Sequence, residues 1–239
     1  MEKLAKLSLI ITTSVIFSAA QTVTSGLEDA GDDLSQYQIK FIENEHFHGS
    51  FVLTEGLVIP EEDSFYEIPA DNLCQCRSAC RSYVPCQAAS AEPFGGRLLC
   101  RLSLSSPGET DLKVLQNASY FFFTSAISNR FYGIQTDGFL YVFANFWGPF
   151  PDSSDFCKKI PGHRLGLYGT DEQVQAITDL FQLVEDKDNQ QIWTDRGDDG
   201  KKEHFRSGTF ASDQRKAYAV CQADPLGKLQ QRNQSAGGN

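Results

Sequence analysis

Apolar positions change their spacing several times along the chain, and each change predicts an element. Lys3 and Lys6 precede an apolar run over residues 7–17, and Ser18-Ala19-Ala20 follows it before Gln21. That order of charge, apolar core and small residues predicts a secretory signal peptide over residues 1–20, too short to span a bilayer comfortably. Residues 21–36 are acidic, small and polar, and are expected to form a disordered leader. From Tyr37 strand-like groups appear: Ile39 and Phe41, then His46-Phe47-His48, Phe51-Val52-Leu53, Leu57-Val58-Ile59 and residues 65–69. Asp71 is then placed to cap a helix running from Asn72 to about Tyr83, which Pro85 closes. On that helix Leu73, Cys76 and Cys80 share one face, while Cys74 lies about 200° round from Cys76 and points away. Residues 86–89 and 98–102 read as a strand pair around the turn at 92–96, and residues 112–115 and 120–124 as two further strands.

Residues 127–137 carry the turn chemistry of Asn129, Gly133 and Asp137-Gly138, and predict a linker. Beyond it comes the aromatic strand Phe139-Leu140-Tyr141-Val142-Phe143, then a short helix beginning near Asp152 and carrying Cys157. Thr170-Asp171-Glu172-Gln173 is a capping box. Behind it Val174, Ile177, Phe181 and Val184 form an apolar stripe at helical spacing. Ile192-Trp193-Thr194-Asp195 and residues 217–222 read as the closing strands. Residues 224–239 form a polar tail, expected to be disordered.

Five of the seven cysteines fall between Cys74 and Cys100. An odd count in a secreted chain predicts bridges plus one remaining thiol, and spacing alone leaves three pairings open for the four nearest one another besides Cys74. Cys-x3-Cys and Cys-x5-Cys could also chelate zinc, a use that belongs chiefly to intracellular chains. Cys74 is the odd thiol, either free or bridging to a second copy in a disulfide-linked homodimer. The C-x3-C-x5-C-x13-C order of Cys76, Cys80, Cys86 and Cys100, with a helix holding the first pair and apolar strands the second, resembles the PAN/apple family of extracellular binding modules. The resemblance covers residues 37–126. It implies one helix stapled to an antiparallel sheet by Cys76–Cys100 and Cys80–Cys86.

Residues 138–223 are similar to a second family, the C-type lectin-like fold. They hold an aromatic strand, a helix with Cys157, the run HRLGLYGTDEQVQAITDLF, a Trp strand and a last strand ending in Cys221-Gln222. This resemblance implies a Cys157–Cys221 bridge. Sugar-binding members hold Ca²⁺ through Glu-Pro-Asn or Gln-Pro-Asp and a following Trp-Asn-Asp, because the ion needs about six to eight oxygens. None of these tripeptides occurs here, the inner cysteine pair is missing, and the stretch from Trp193 to Cys221 leaves no room for the long loop. The expected fold class is therefore α+β, in two small disulfide-stapled domains. One is a PAN/apple-like antiparallel sheet with one helix, the other a C-type lectin-like domain with two helices.

Charge narrows the partners. The formal net charge is −10, and loss of the signal peptide makes the chain more acidic still. Such a surface disfavours nucleic acid, heparin and anionic membranes. No later run predicts a membrane helix, so a soluble, secreted, extracellular product is expected, with no membrane insertion. Asn117-Ala118-Ser119 and Asn233-Gln234-Ser235 are glycosylation sequons, giving Asn117 and Asn233 as candidate acceptors. Arg196-Gly197-Asp198 is an adhesion-type tripeptide in a charged turn, where a solvated surface is the plainer reading. His46 and His48 would share a strand face without a third ligand nearby. His163 and His204 lie in polar, irregular-looking segments with no nucleophile beside them, and Asp198-Asp199 is a solvated pair. No catalytic residue, metal site or cofactor is assigned. The expectation is a non-enzymatic binding protein that recognises carbohydrate or glycoprotein without the usual calcium site. Its rival is a protein-binding or adhesion role in which the lectin-like fold is only a scaffold.

Overall fold

The computed structural model describes residues 33–43, 49–167, 169–183, 192–195, 202–204 and 216–226. Within them the fold is mixed α+β, with two mainly antiparallel sheets and three α-helices.

The first sheet holds β1 (Ile39–Ile42), β2 (Phe51–Val58), β3 (Tyr66–Ala70), β4 (Ala88–Phe94), β5 (Arg97–Ser103) and β6 (Lys113–Phe123), in the order β1-β2-β6-β4-β5-β3. Its helix α1 (Leu73–Ser82) starts one residue later than the sequence suggested. Asn72, not Asp71, caps it, accepting the Gln75 backbone N–H at 3.0 Å, while the Gln75 side chain accepts from the Asp71 N–H at 2.8 Å. Gln75 stands three residues after Asn72, where its N–H meets the cap, and its side chain returns one residue further back, to Asp71. Asp71 instead turns its carboxylate to Arg97 at 2.9 Å.

Strand boundaries differ from the pattern for local reasons. Glu92, Pro93 and Phe94 belong to β4, so the hairpin turns on Gly95-Gly96 alone, both at positive φ as a two-residue turn of this hand requires. The strands expected at 112–115 and 120–124 are one strand, β6, because a register slip against β2 lets the pairing continue through Asn117 at φ 66°. The groups at 51–53 and 57–59 are likewise joined, with Leu57 and Val58 at the end of β2.

The second sheet holds β7 (Asn129–Ile134), β8 (Leu140–Gly148), β9 (His163–Leu165), β10 (Ile192–Asp195), β11 (Lys202–His204) and β12 (Ala217–Ala223). They run β11-β10-β12-β8-β7, with β9 also paired to β12 and β10 parallel to β12. The expected linker is thus β7, recruited by pairing with the aromatic strand β8 across the turn at Asp137-Gly138. Helix α2 (Phe150–Lys159) and helix α3 (Asp171–Leu183) belong to this half. The capping box of α3 forms: Thr170 Oγ1 accepts from the Gln173 N–H at 3.3 Å, and Gln173 Oε1 accepts from Thr170 N–H at 3.1 Å. Among its described side chains Gln173, Ala176, Ile177 and Leu180 are buried, so Ile177 of the expected stripe faces the core and Val174 is half-buried, while the Phe181 side chain lies outside what is described. Val184 lies outside the described residues.

One apolar cluster joins the two halves. Val52, Tyr120 and Phe122 from the first sheet meet Leu140, Val142 and Trp193 from the second, with Cys157 and Ile160 of α2. Strand alternation explains it: Phe121 and Phe123 face α1, whereas Tyr120 and Phe122 face the other half. The last residues of the expected leader also belong here. Leu34 is buried, donates its N–H to Lys158 C=O at 2.7 Å and accepts from Gly162 N–H at 2.9 Å. Gly162, at φ 73°, lies so close to β1 that a Cβ would meet Ile39 and the Tyr37 carbonyl. The second sheet's outer face is covered by α3 over Tyr141, Phe143 and Val220.

Candidate functional site

The outer face of the second sheet is covered unevenly. Along β8 the odd positions Tyr141 and Phe143 lie under α3, but Asn145 and Trp147 emerge beyond it, Trp147 with 46% of its surface exposed. Two irregularities in pairing create this end. Arg130 is an extra residue in β7 between the pairs Asn129–Ala144 and Phe131–Phe143, and β8 has extra residues between Phe143 and Trp147 opposite β12. Bulges of this kind re-aim side chains and are frequent beside functional sites.

The side chains so placed hold one another. Trp147 sits edge-on to Tyr218 at 4.7 Å between ring centroids. The Arg130 guanidinium lies 4.4 Å from the Tyr218 centroid and 5.7 Å from that of Phe143. It donates through Nε to Asn145 Oδ1 at 3.0 Å and through Nη2 to the Tyr218 hydroxyl at 2.9 Å. Asn145 donates in turn to Ser128 Oγ at 3.3 Å. Asn145 and Ser128 also border a cleft of about 300 Å³, closed on its far side by Pro107, Gly108 and the stacked pair Phe146 and Phe156. An exposed indole set against a phenol, which a guanidinium and an amide hold in turn, can stack on a flat apolar ring face.

Sequence reasoning passed over this site, although β8 carried a signal. Aromatic residues alternate at 139, 141 and 143, then the period slips to the adjacent pair Phe146-Trp147. A slip in strand alternation marks a bulge.

The expected residues fall elsewhere. Disulfides join Cys76 of α1 to Cys100 of β5, Cys80 to Cys86, and Cys157 of α2 to Cys221 of β12, with Cα atoms 5.7, 5.3 and 5.3 Å apart. Cys74 is exposed and unbridged. Asn117 is exposed within β6 rather than ahead of a strand. His163 is not in an irregular polar segment: it is strand β9, wholly buried against the shared core. Its Nδ1 meets the Pro161 carbonyl at 2.9 Å and must carry the proton, so Nε2 accepts from the Tyr132 hydroxyl at 3.0 Å. Burial pushes its pKa down to about 4. His204 lies in β11, paired with Trp193 across the strands. His46, His48, Arg196, Gly197, Asp198, Asp199 and Asn233 lie outside the described residues, as does the predicted signal peptide.

A second polar chain, partly buried, runs through the half that holds the second sheet. Tyr141 donates to Asp137 at 2.8 Å and accepts from Gln222 at 2.7 Å, and Gln222 Oε1 faces Arg164 at 3.4 Å. Burial first, then Asp137, raises the Tyr141 pKa, so the phenol stays protonated. Arg164 and Gln222 line a smaller cleft of about 170 Å³ beside Tyr37.

Among the described residues no group of three or more His, Cys, Asp or Glu could hold a metal ion, and no helix is long and apolar enough to cross a membrane. No family model, curated protein or solved structure matches this chain.

Proposed function

We propose that this is an extracellular, PAN/apple-like and C-type lectin-like binding protein that recognises carbohydrate at the open end of its second sheet, without calcium. The observation that carries the reading is Trp147, left half-exposed and propped by Tyr218 where α3 stops covering the sheet. A pyranose presents an apolar face of C–H groups that stacks on such a ring, and its hydroxyls match the amide and hydroxyl groups of Asn145 and Ser128. The reading places no catalysis at this site, because the groups round the indole bond one another and frame no nucleophile with a base.

A glycan array probed with and without chelator tests it. Binding that persists in chelator and disappears in Trp147→Ala, with Tyr218→Phe weakened, is the expected result. Silence of the wild-type protein across the array would overturn it. That silence would favour a protein-binding role, for which the exposed cluster Phe65, Tyr66, Tyr83 and Val84 beside the Cys80–Cys86 staple speaks.

A further inference from the structure

We infer that the site prefers saccharides carrying a carboxylate, and that Arg130 reads the acid group; this rests on the stacking role proposed for Trp147. Three observations lead there. First, Arg130 is exposed yet fixed: the bulge turns it onto the sheet face, the ring of Tyr218 supports its plane, and Asn145 and Tyr218 each take one of its N–H groups. A guanidinium has five N–H donors, so the rest of its fork is left for a ligand, already oriented. Second, the arginines of the described ion pairs are engaged by carboxylates: Arg97 by Asp71, and Arg101 by both Glu67 and Glu92. Among the described residues Arg130 meets neutral groups, the amide of Asn145, the phenol of Tyr218 and the ring of Phe143, although the chain carries 31 acidic residues against 21 basic ones. Third, the positive charge stands beside the stacking ring, since Tyr218 touches both Arg130 and Trp147.

A pyranose stacked on Trp147 would therefore put its ring substituents within reach of a cation whose planar fork matches a carboxylate with two parallel hydrogen bonds. A polyanion is a poorer fit, because the overall charge of −10 repels a long acidic chain while a single acid group meets mainly the local cation. The ligand class is a uronic acid or another singly carboxylated sugar.

Methyl glucoside and methyl glucuronide share a ring and differ only in the group at C6, so titrating both into the full-length protein separates stacking from acid recognition. The glucuronide should bind about tenfold tighter at low salt, the gain of a solvent-exposed charge-assisted bond, and the gap should narrow as salt screens it. Arg130→Gln should erase the gap, read as the ratio between the two affinities because the variant can lower both, and Arg130→Lys, with charge but no fork, should restore only part of it. Trp147→Ala should lower both. Equal affinity of the wild type for the two sugars, or a gap that survives Arg130→Gln, overturns the inference and leaves the stacking role standing. A glucoside 6-sulfate bound as tightly as the glucuronide overturns the carboxylate preference. If neither methyl glycoside binds but the array is positive, uronate-bearing oligosaccharides among the hits must outrank their neutral counterparts, or the inference fails.

Discussion

Protonating His163 would place a charge in the middle of the contact between the two sheets. Among the described residues its ring nitrogens meet the Pro161 carbonyl and the Tyr132 hydroxyl, and Tyr132 itself stacks on Phe41 of β1 at 6.3 Å. The imidazolium would ask Tyr132 to turn from donor to acceptor at a wholly buried ring. The sign follows from the pKa: in the native state it is held at about 4, below the ordinary value of 6.5. The unfolded chain therefore takes up a proton first, and stability falls as pH drops from about 6.5 towards 4, while nothing is lost above that window. At pH 4.5 this one group should remove roughly 2 to 3 kcal/mol. Urea denaturation at pH 7 and pH 4.5 should show that loss in the wild type and a smaller one in His163→Gln, whose amide can still donate to Pro161 and accept from Tyr132. A loss of the same size in both would mean that other groups carry the acid sensitivity. Nothing around His163 in sequence announced its burial. Pro161-Gly162-His163-Arg164 reads as a polar turn, and only the meeting of β9 with β12 and β1 makes it core.

At the scale of elements, what could be read from sequence was whatever local spacing decides. The Cys76/Cys80 face of α1, the capping box of α3 and the strands of both halves are set by neighbours within a few residues, and they appear close to where the pattern put them. The errors arose where a distant strand decides. The segment 127–137 is rich in turn residues, and its identity as β7 depends on β8. Asn117 looked like a break, and the partner strand β2 absorbs it as a bulge. The bridges share this long-range character, and their worth should scale with the loop they close. In the chain-entropy model Cys157–Cys221, 64 residues apart, removes about 4 kcal/mol of unfolded-state freedom, against about 2 kcal/mol for Cys80–Cys86, six apart. Replacing each pair by alanines should lower the urea midpoint about twice as far for the first. Equal shifts would place the stabilisation in local packing instead.

For the whole molecule, the apolar cluster between the sheets predicts one cooperative body where the sequence suggested two stapled ones. Both tryptophans, Trp147 and Trp193, lie in the second sheet, so their fluorescence reports on that half alone. Trp193 is wholly buried in the shared cluster and donates its indole N–H to the Gly148 carbonyl at 2.9 Å. Phe122 enters the same cluster from β6 of the first sheet, and Phe121 beside it faces α1 instead. Truncating either buried phenylalanine to alanine should cost about 3 to 5 kcal/mol. If the sheets unfold together, both Phe122→Ala and Phe121→Ala lower the midpoint of the tryptophan transition, and far-UV circular dichroism gives the same midpoint. Independent halves would leave the tryptophan transition unmoved in both variants while circular dichroism recorded an earlier loss of the first sheet. The open end at Trp147 and Arg130 belongs to this same body, because β8 carries Val142 into the shared cluster and Trp147 to the surface. Loosening the first sheet should therefore weaken the saccharide binding proposed for Trp147 and Arg130, neither of which lies in that sheet.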